Sequence, residues 1–503
     1  MEENSKNIQI SHTSNLNPLN FNTTLNIGID SNANIKTVLD INSYIYDQKV
    51  ECGNGKAIIT GKIGVKVLYV DTDNITNTVT DSVGFTETYQ DNSLTSSTFL
   101  DIFNYHIINN ILSVDSSLKI NFDVSIHPVS HTNLGISNNL SLTDGVITKK
   151  KEIKTTSISE YINSQCEYTT NFETKDTITK ILCNNSYLSV EKVVAENGYA
   201  VLEGKINSSV VYETQKDDNT QIKEIKEAFN FKCDLEISNL MNDNILDLSF
   251  CLDKNREETA LEIEDNISVI TTKHFVKACG VCLKQISIDV VDDMFSPEFE
   301  IETTSSAREC TNNVEQFSVS EVVSNETTLS DEETAIDEIV ANLSIQPEIT
   351  NKYVKDNYLF VEGIVSSCLV YVDENKEYKL KTIEIPFIIN TKHQSQNSDN
   401  VHCNICVLDN KVKVKRGTII EAEYSILINF TMFSKENHNM IDSFKIGKTL
   451  DFGNYDYQIY LAKPEETIWE LCKRIKVSPT EIGKYNKDLP LICSGGEKII
   501  VKR

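Results

Sequence analysis

Proline, glycine and tryptophan are scarce in this sequence, whose 503 residues include 8 Pro, 18 Gly and 1 Trp. That composition excludes collagen-like chains and proline-rich disordered chains. No stretch approaches the run of about 18 apolar residues that marks a membrane-spanning helix, and the first residues lack the positive and apolar segments of a secretory signal. We therefore expect a protein that does not insert into membranes and is not exported by a standard signal.

Basic residues are also in short supply, because 47 Lys and Arg stand against 74 Asp and Glu and give a formal net charge of −27. The segment 455–503 contains nine basic and seven acidic residues, so it carries +2 and the remainder carries −29. Such a body repels nucleic acid and anionic membrane surfaces, and we expect neither as a partner. The charge favours a basic or mixed-charge protein surface instead.

The motifs of common enzyme active sites are missing. The sequence has no Gly-x-x-x-x-Gly-Lys-Ser/Thr loop for nucleotides, no Gly-x-Ser-x-Gly elbow and no His-Glu-x-x-His helix. Its eight histidines are scattered and suggest no catalytic triad. We predict a protein without enzymatic activity and without a cofactor.

Four cysteines offer an alternative, a zinc site. Cys279 and Cys282 form one Cys-x-x-Cys pair, and Cys403 and Cys406 form another. Four thiolates could hold zinc in tetrahedral geometry, but residues i and i+3 of a strand point to opposite faces. We therefore predict no metal site, and we interpret the 13 cysteines as reduced thiols of a cytosolic protein.

One strand pattern occurs three times. Residues Gly61–Tyr69, Gly204–Tyr212 and Gly363–Tyr371 each begin with glycine, continue with alternating apolar residues and end with tyrosine. Each copy follows another strand-like segment and precedes a polar turn and then a phenylalanine, which is Phe85, Phe229 or Phe387. Alternation with hairpin turns predicts antiparallel β-rich domains. The glycines suggest a bulge or a close strand crossing.

These copies predict a mainly β protein with several domains. We expect a flexible N-terminal segment over 1–34 and repeated units over 35–150, 177–300 and 335–440, joined by polar linkers. A small module over 455–503 would follow.

The final module has its own start and stop signals. Alternation over 457–461 predicts an edge strand, and 499–501 can return as its partner. Ser478, Pro479 and Glu481 form the start of a helix, with a capping box. An earlier helix has one apolar face, formed by Ile468, Leu471, Cys472 and Ile475. The predicted order is β-α-α-β.

This order and these residues resemble the LysM family. Thr467, Trp469 and Asn486 stand at positions of the family pattern, whereas Glu465 and Glu466 replace its usual Gly-Asp. Many LysM domains bind N-acetylglucosamine polymers through the loops around that Gly-Asp-Thr segment. The resemblance therefore implies peptidoglycan binding as an alternative function, and the two extra carboxylates count against it.

The three Gly-to-Tyr strands, the later phenylalanines and the terminal LysM-like module together resemble the SPOCS (spore coat) domain family. The resemblance implies a scaffold of spore morphogenesis in the mother-cell cytoplasm, at the forespore surface. It also implies that the LysM module ties the coat to stage IV sporulation protein A, the coat-basement ATPase, with other coat proteins as further partners.

We expect the partner-binding surface of the module to be an apolar patch with a basic rim. The patch comprises Ile459, Ile468, Trp469 and Leu471, and the rim comprises Lys473, Arg474 and Lys476. A central aromatic residue with a charged rim is typical of a binding hot spot. The alternative, that Trp469 is a core or half-buried packing residue, stays open at this point.

Overall fold

The computed structural model describes residues 8–28, 34–114, 117–136, 145–216, 219–264, 267–392, 400–453 and 456–502. Strands dominate these ranges, and two short helices lie near the C-terminal end. The strands are β1 (Ile8–Asn15), β2 (Leu19–Gly28), β3 (Ile35–Gly53), β4 (Lys56–Asp71), β5 (Thr76–Gln90), β6 (Thr98–Asp101), β7 (Tyr105–Val114), β8 (Ser117–Ile126), β9 (Val129–Ile136), β10 (Ile147–Thr174), β11 (Ile178–Asn184), β12 (Tyr187–Glu196), β13 (Tyr199–Lys216), β14 (Asn219–Glu236), β15 (Ile245–Leu252), β16 (Glu258–Glu264), β17 (Ile267–Phe295), β18 (Phe299–Thr328), β19 (Ile336–Lys355), β20 (Tyr358–Asp373), β21 (Tyr378–Lys392), β22 (Val401–Lys415), β23 (Ile419–Thr449), β24 (Tyr457–Leu461) and β25 (Lys498–Lys502). The helices are α1 (Ile468–Ile475) and α2 (Pro479–Tyr485).

The prediction of a mainly β protein is confirmed, and every strand pair among the described residues is antiparallel. Neither helix is long and apolar enough to cross a membrane, and the same holds for all helical residues in the described part of the chain.

Strands β1 to β23 follow one pairing scheme three times. We call residues 8–136 unit 1, residues 147–295 unit 2 and residues 299–449 unit 3. In unit 2 the first strand, β10, pairs with the last strand, β17, and β15 and β16 pair with the other edge of β17. The strands between them form a separate sheet in which β13 lies between β14 on one side and β11 and β12 on the other.

Units 3 and 1 follow the same scheme. They differ from unit 2 in which strands are continuous and which are divided into two. In unit 3, β18 pairs with β23, β22 pairs with the other edge of β23, and β19-β20-β21 form the separate sheet. In unit 1 the first strand is divided into β1 and β2, which pair with β9 and β8, while β3-β4-β5 form the separate sheet.

The predicted starts of all three units lie too late in the chain, because the units begin at residues 8, 147 and 299 rather than 35, 177 and 335. Residues 8–28, expected to be flexible, form β1 and β2, and most of the expected linkers belong to β10 and β18. Both long strands expose many side chains, so their Thr, Ser, Asn and Glu residues conceal the alternation that marks a half-buried strand. Pairing with the last strand of the unit supplies the backbone hydrogen bonds that the sequence alone did not indicate.

The glycine of each repeated strand makes room for an aromatic ring. Gly61 pairs with Phe85 across β4 and β5, and Gly363 pairs with Phe387 across β20 and β21. A Cβ at position 363 would lie 2.3 Å from the Phe387 ring and 2.1 Å from the carbonyl oxygen of Glu348. Only glycine lets these atoms approach so closely, which is the structural role expected for it.

The phenylalanine predicted for the second copy is wrong. Gly204 pairs with Phe231 rather than Phe229, because the hairpin between β13 and β14 is longer than its counterparts. Phe229 lies opposite Ile206 and packs edge-to-face against Phe172, with ring centroids 5.2 Å apart. A fixed spacing from the tyrosine therefore fails where the length of the hairpin changes.

A recurring bulge directs apolar residues towards a core that all three units share. The pairing register shifts at Leu39 on β3, at Leu182 on β11 and at Val340 on β19. All three side chains belong to one apolar cluster. A second shared cluster contains Ile10, Ile153 and Cys310 from the first strands of the units. The units therefore pack against one another through two common cores.

A buried ion pair also joins units 2 and 3. His402 Nδ1 on β22 lies 3.0 Å from Asp247 Oδ1 on β15, and both side chains are almost fully buried. Burial alone would lower the pKa of His402, but the Asp247 carboxylate raises it above its ordinary value. Loss of either partner would leave an uncompensated buried charge at the junction.

The expectation of thirteen reduced thiols is wrong for one pair. Cys166 on β10 and Cys233 on β14 form a disulfide, with their Cα atoms 6.6 Å apart. The other eleven cysteines are free. The sequence did not indicate this disulfide, because its two cysteines are 67 residues apart. They meet only where β10 packs against the separate sheet of unit 2, which contains β14.

We predict that Gly363→Ala destabilises unit 3. The added methyl group would collide with the Phe387 ring and the Glu348 carbonyl, and overpacking of this kind costs about 1–3 kcal/mol. Thermal unfolding followed by circular dichroism should show a lower midpoint. Gly84→Ala is the matched control, because a Cβ there would meet nothing closer than 3.9 Å. An equal effect of the two substitutions would contradict the proposed role of the glycine.

Candidate functional site: the C-terminal module

The residues from Tyr457 to Lys502 form a small module in the order predicted from the sequence. Strands β24 and β25 pair with each other, and α1 and α2 lie between them in the chain. Thr467 caps α1 in a capping box with Glu470, whose carboxylate accepts the Thr467 backbone N–H at 2.9 Å. Ser478 caps α2 by accepting the Glu481 backbone N–H at 3.1 Å, and the Glu481 side chain pairs with Lys484 instead of completing a capping box.

The core of the module lies between the helices and the inner side of the two strands. Its buried residues include Ala462, Leu471, Cys472, Ile475, Val477, Ile482, Cys493, Ile499 and Val501. Leu471, predicted to lie in the partner-binding patch, is 0% exposed. It occupies the side of α1 that faces the core, so it cannot contact a partner without unfolding of the module. Ile468 is partly buried against the same cluster.

Trp469 and Lys473 contact unit 2 rather than solvent. The Trp469 indole Nε1 donates a hydrogen bond to Asp293 Oδ2 at 2.8 Å, and its ring packs edge-to-face against Phe295 at 5.2 Å. Lys473 Nζ lies 2.6 Å from Asp293 Oδ1. Burial would raise the pKa of Asp293, but hydrogen bonds from Lys473 and Trp469 hold it below its ordinary value. Trp469 is therefore a half-buried packing residue, as the alternative interpretation had it.

Arg474 is held within the module by Glu466. Its Nε and Nη2 atoms donate to the two carboxylate oxygens of Glu466 at 2.7 and 2.8 Å, and Nη2 also donates to the Leu461 carbonyl at 3.1 Å. Glu466 accepts the Lys463 backbone N–H as well and is only 7% exposed. The hydrogen bonds from Arg474 lower the pKa of Glu466. The acidic residue that departs from the LysM pattern is therefore an internal structural partner.

Glu465, the other residue that departs from the LysM pattern, has a left-handed backbone conformation with φ 61°. A residue with a side chain is strained there, whereas glycine is not. Lys476, which ends α1, is also left-handed, at φ 56°.

An apolar stripe covers the outer side of β24 and β25. Ile459 is 66% exposed and pairs with Ile500, which is 41% exposed. The stripe continues along both strands, because Tyr457 lies opposite Lys502 and Leu461 lies opposite Lys498, with all four side chains exposed. We call this surface the outer face; it comprises Tyr457, Ile459, Leu461, Lys498, Ile500 and Lys502.

The seven residues predicted to bind a partner thus do not form one exposed surface; one of them, Lys476, ends α1. Ile459 lies on the outer face, Ile468 and Leu471 contribute to the core, Trp469 and Lys473 meet unit 2, and Arg474 pairs with Glu466. The residues of α1 lie on several sides of the helix. Grouping them by their closeness in the sequence therefore did not show which of them share a surface. Sequence reasoning missed Ile500, which the alternation within β25 could have identified, and Asp293, for which the sequence contains no signal.

The cysteine pairs weighed as zinc ligands lie in buried strands. Cys279 and Cys282 are on β17, and Cys403 and Cys406 are on β22. Burial raises the pKa of all four thiols, to about 11 for Cys403 and about 12 for Cys406. Among the described residues, no three His, Cys, Asp or Glu side chains are arranged to hold a metal ion.

The glycine of the first cysteine motif has a structural explanation. A Cβ at Gly280 would lie 2.0 Å from the Asp247 carbonyl oxygen on the adjacent strand β15, and its φ is +148°. The motif therefore permits a close strand approach.

Comparison with known proteins gives one match. Residues 34–102, which contain β3 to β6 of unit 1, match the family model described as SipL, SPOCS domain. No curated protein and no solved structure matches the chain. The match supports a SipL-like, sporulation-related protein.

We predict that Glu466→Gln destabilises the module at neutral pH and has little effect in acid. Because the pKa of folded Glu466 lies below its ordinary 4.5, its contribution is fully present above that pH and is lost as the pH falls through the folded-state value. Amide hydrogen exchange of α1 at pH 7 and pH 3 measures the difference. Glu465→Gln, at an exposed position, is the control, and a pH-independent effect of Glu466→Gln would contradict the ion-pair explanation.

Proposed function

We propose that this protein is a non-enzymatic scaffold of spore morphogenesis that resembles SpoIVA-interacting protein L. The observation that carries the proposal is the SPOCS match over residues 34–102. The pairing scheme and the glycine–phenylalanine contact of unit 1 recur in units 2 and 3. We therefore assign all three units as SPOCS domains and the module as a LysM domain.

The scaffold would act in the mother-cell cytoplasm, at the forespore surface. Its LysM module would bind stage IV sporulation protein A, while the SPOCS domains present surfaces to other coat proteins. The outer face supports the assignment of a docking role to the module. It exposes a contiguous group of large apolar side chains, and such patches mark interaction sites on soluble proteins.

Charge supports an acidic partner surface for the module. Lys498 and Lys502 flank the apolar residues of the outer face, and the segment 455–503 carries +2 on a chain whose remainder carries −29. Complementary charge at the rim of an interface guides association and orientation, while the apolar centre supplies most of the affinity.

We predict that Ile459→Glu weakens binding of the full chain to stage IV sporulation protein A by about tenfold or more, as expected when a charge enters the centre of an interface. Ile388→Glu on β21 is the matched control, because Ile388 is 65% exposed and Ile459 is 66% exposed. Surface plasmon resonance with both variants measures the effect. Unchanged binding by Ile459→Glu would remove the outer face from the interface.

The alternative function, binding of peptidoglycan or other N-acetylglucosamine polymers, makes a different prediction. In the loop where many LysM domains bind glycan, Glu466 is already bound to Arg474 and to the Lys463 backbone. We therefore expect a flat calorimetric titration with N-acetylglucosamine oligomers. Saturable heat that Glu466→Gln alters would favour the glycan function instead.

A further inference from the structure

The module has a second surface, which its own chain covers. We call it the inner face; it consists of Ile468, Trp469 and Lys473 on α1. Opposite it, at the end of β17, lie Asp293 and Phe295, and Ile147 on β10 pairs with Phe295 and packs against the same cluster. The inner face thus has the aromatic residue and the cation of a binding hot spot, and both are engaged within the chain.

The contact combines two recognisable elements. A carboxylate accepts hydrogen bonds from the indole N–H and the lysine ammonium, and an aromatic ring packs beside the indole. Unit 2 therefore shows which chemistry the inner face binds: a carboxylate next to an aromatic ring. A partner with this arrangement on an acidic surface would satisfy the same groups.

The exposure of the ion pair favours reversibility of the contact. The Lys473 side chain is 44% exposed and the Asp293 side chain is 28% exposed, so water reaches the ion pair. Exposed ion pairs contribute little net stability because water solvates the separated charges well. Phe295 is 1% exposed and belongs to the same apolar cluster as Leu471 and Ile499, so the loss of its burial opposes opening.

We propose that the inner face is a latch: it closes on Asp293 and Phe295 in the free protein and opens to bind an acidic partner surface that presents a carboxylate beside an aromatic ring. This inference rests on the proposed docking function of the module. The outer face is exposed in the closed state and makes the first contact with the partner. Opening of the latch then adds Trp469 and Lys473 to the interface.

The only tryptophan of the protein reports the state of the latch directly. Acrylamide quenching of Trp469 fluorescence is measured in the full chain without any partner. Asp293→Ala should raise the quenching constant roughly twofold or more as the population shifts to the open state. Asp292→Ala is the matched control, since Asp292 pairs with Lys149 at 3.6 Å whereas Trp469 and Lys473 both bind Asp293. Equal quenching in wild type and Asp293→Ala would overturn the latch.

Exchanging the charges of Lys473 and Asp293 distinguishes opening of the latch from misfolding and from local effects on the indole. Lys473→Asp alone should also raise quenching, although it leaves the Trp469–Asp293 hydrogen-bonding groups in place. Combining it with Asp293→Lys re-forms the ion pair but removes the acceptor of the Trp469 N–H, so the double variant should show quenching between that of Lys473→Asp and that of the wild type. Quenching of the double variant no lower than that of Lys473→Asp, with its circular dichroism spectrum unchanged, would count against the latch.

A binding measurement tests the part of the proposal that concerns the partner. If opening precedes full engagement, Asp293→Ala should bind stage IV sporulation protein A about three- to tenfold more tightly, because the apparent dissociation constant is divided by the fraction of competent molecules. Unchanged or weaker binding would overturn the competition between unit 2 and the partner. Absence of binding by either chain, with quenching as expected, would instead remove the proposed partner. A concentration-dependent dimer of Asp293→Ala in size-exclusion chromatography would identify a second copy as the occupant.

Discussion

The pairing of the first strand of each unit with its last strand is the constraint on which the rest of the structure depends. β10 pairs with β17 along its whole length, from Ile147 opposite Phe295 to Thr174 opposite Ser268. β18 pairs with β23 in the same way. These pairs satisfy the backbone groups of long, partly polar strands. They also bring Ile10, Ile153 and Cys310 into a common core. The end of β17 carries Asp293 and Phe295, so the strand that closes unit 2 also positions the C-terminal module.

The module is too small to cover all of its apolar surface. Two strands and two short helices enclose one core, and the opposite side of a two-stranded sheet has nothing to pack against. The exposed stripe around Ile459 and the half-buried contact of Trp469 both arise because the module cannot cover its own apolar surface. One surface remains open, while the other is covered by a carboxylate and a ring from unit 2. The exposed stripe is the observation that supports the proposed docking role of the module.

Local patterns predicted the parts of the fold that local interactions determine. The alternation from Gly61 to Tyr69 predicted an antiparallel strand, and helix caps such as Ser478 predicted the β-α-α-β order of the module. Spacing failed where a hairpin changed length, as at Phe229, and composition failed in β10 and β18, whose polar residues resemble those of linkers. The disulfide between Cys166 and Cys233 lay beyond any local pattern, because packing of one sheet on another brings its ends together.

The sequence by itself determined the class of the fold, the absence of enzyme motifs, the charge contrast between body and tail, and the presence of an aromatic–basic segment around Trp469. Only the tertiary structure decided what each residue of that segment contacts. Leu471 enters the core, Arg474 binds Glu466, Trp469 and Lys473 turn to Asp293, and Ile459 stays exposed. The physical reason is that burial and pairing depend on which surfaces meet in space, and Asp293 lies 176 residues from Trp469 along the chain.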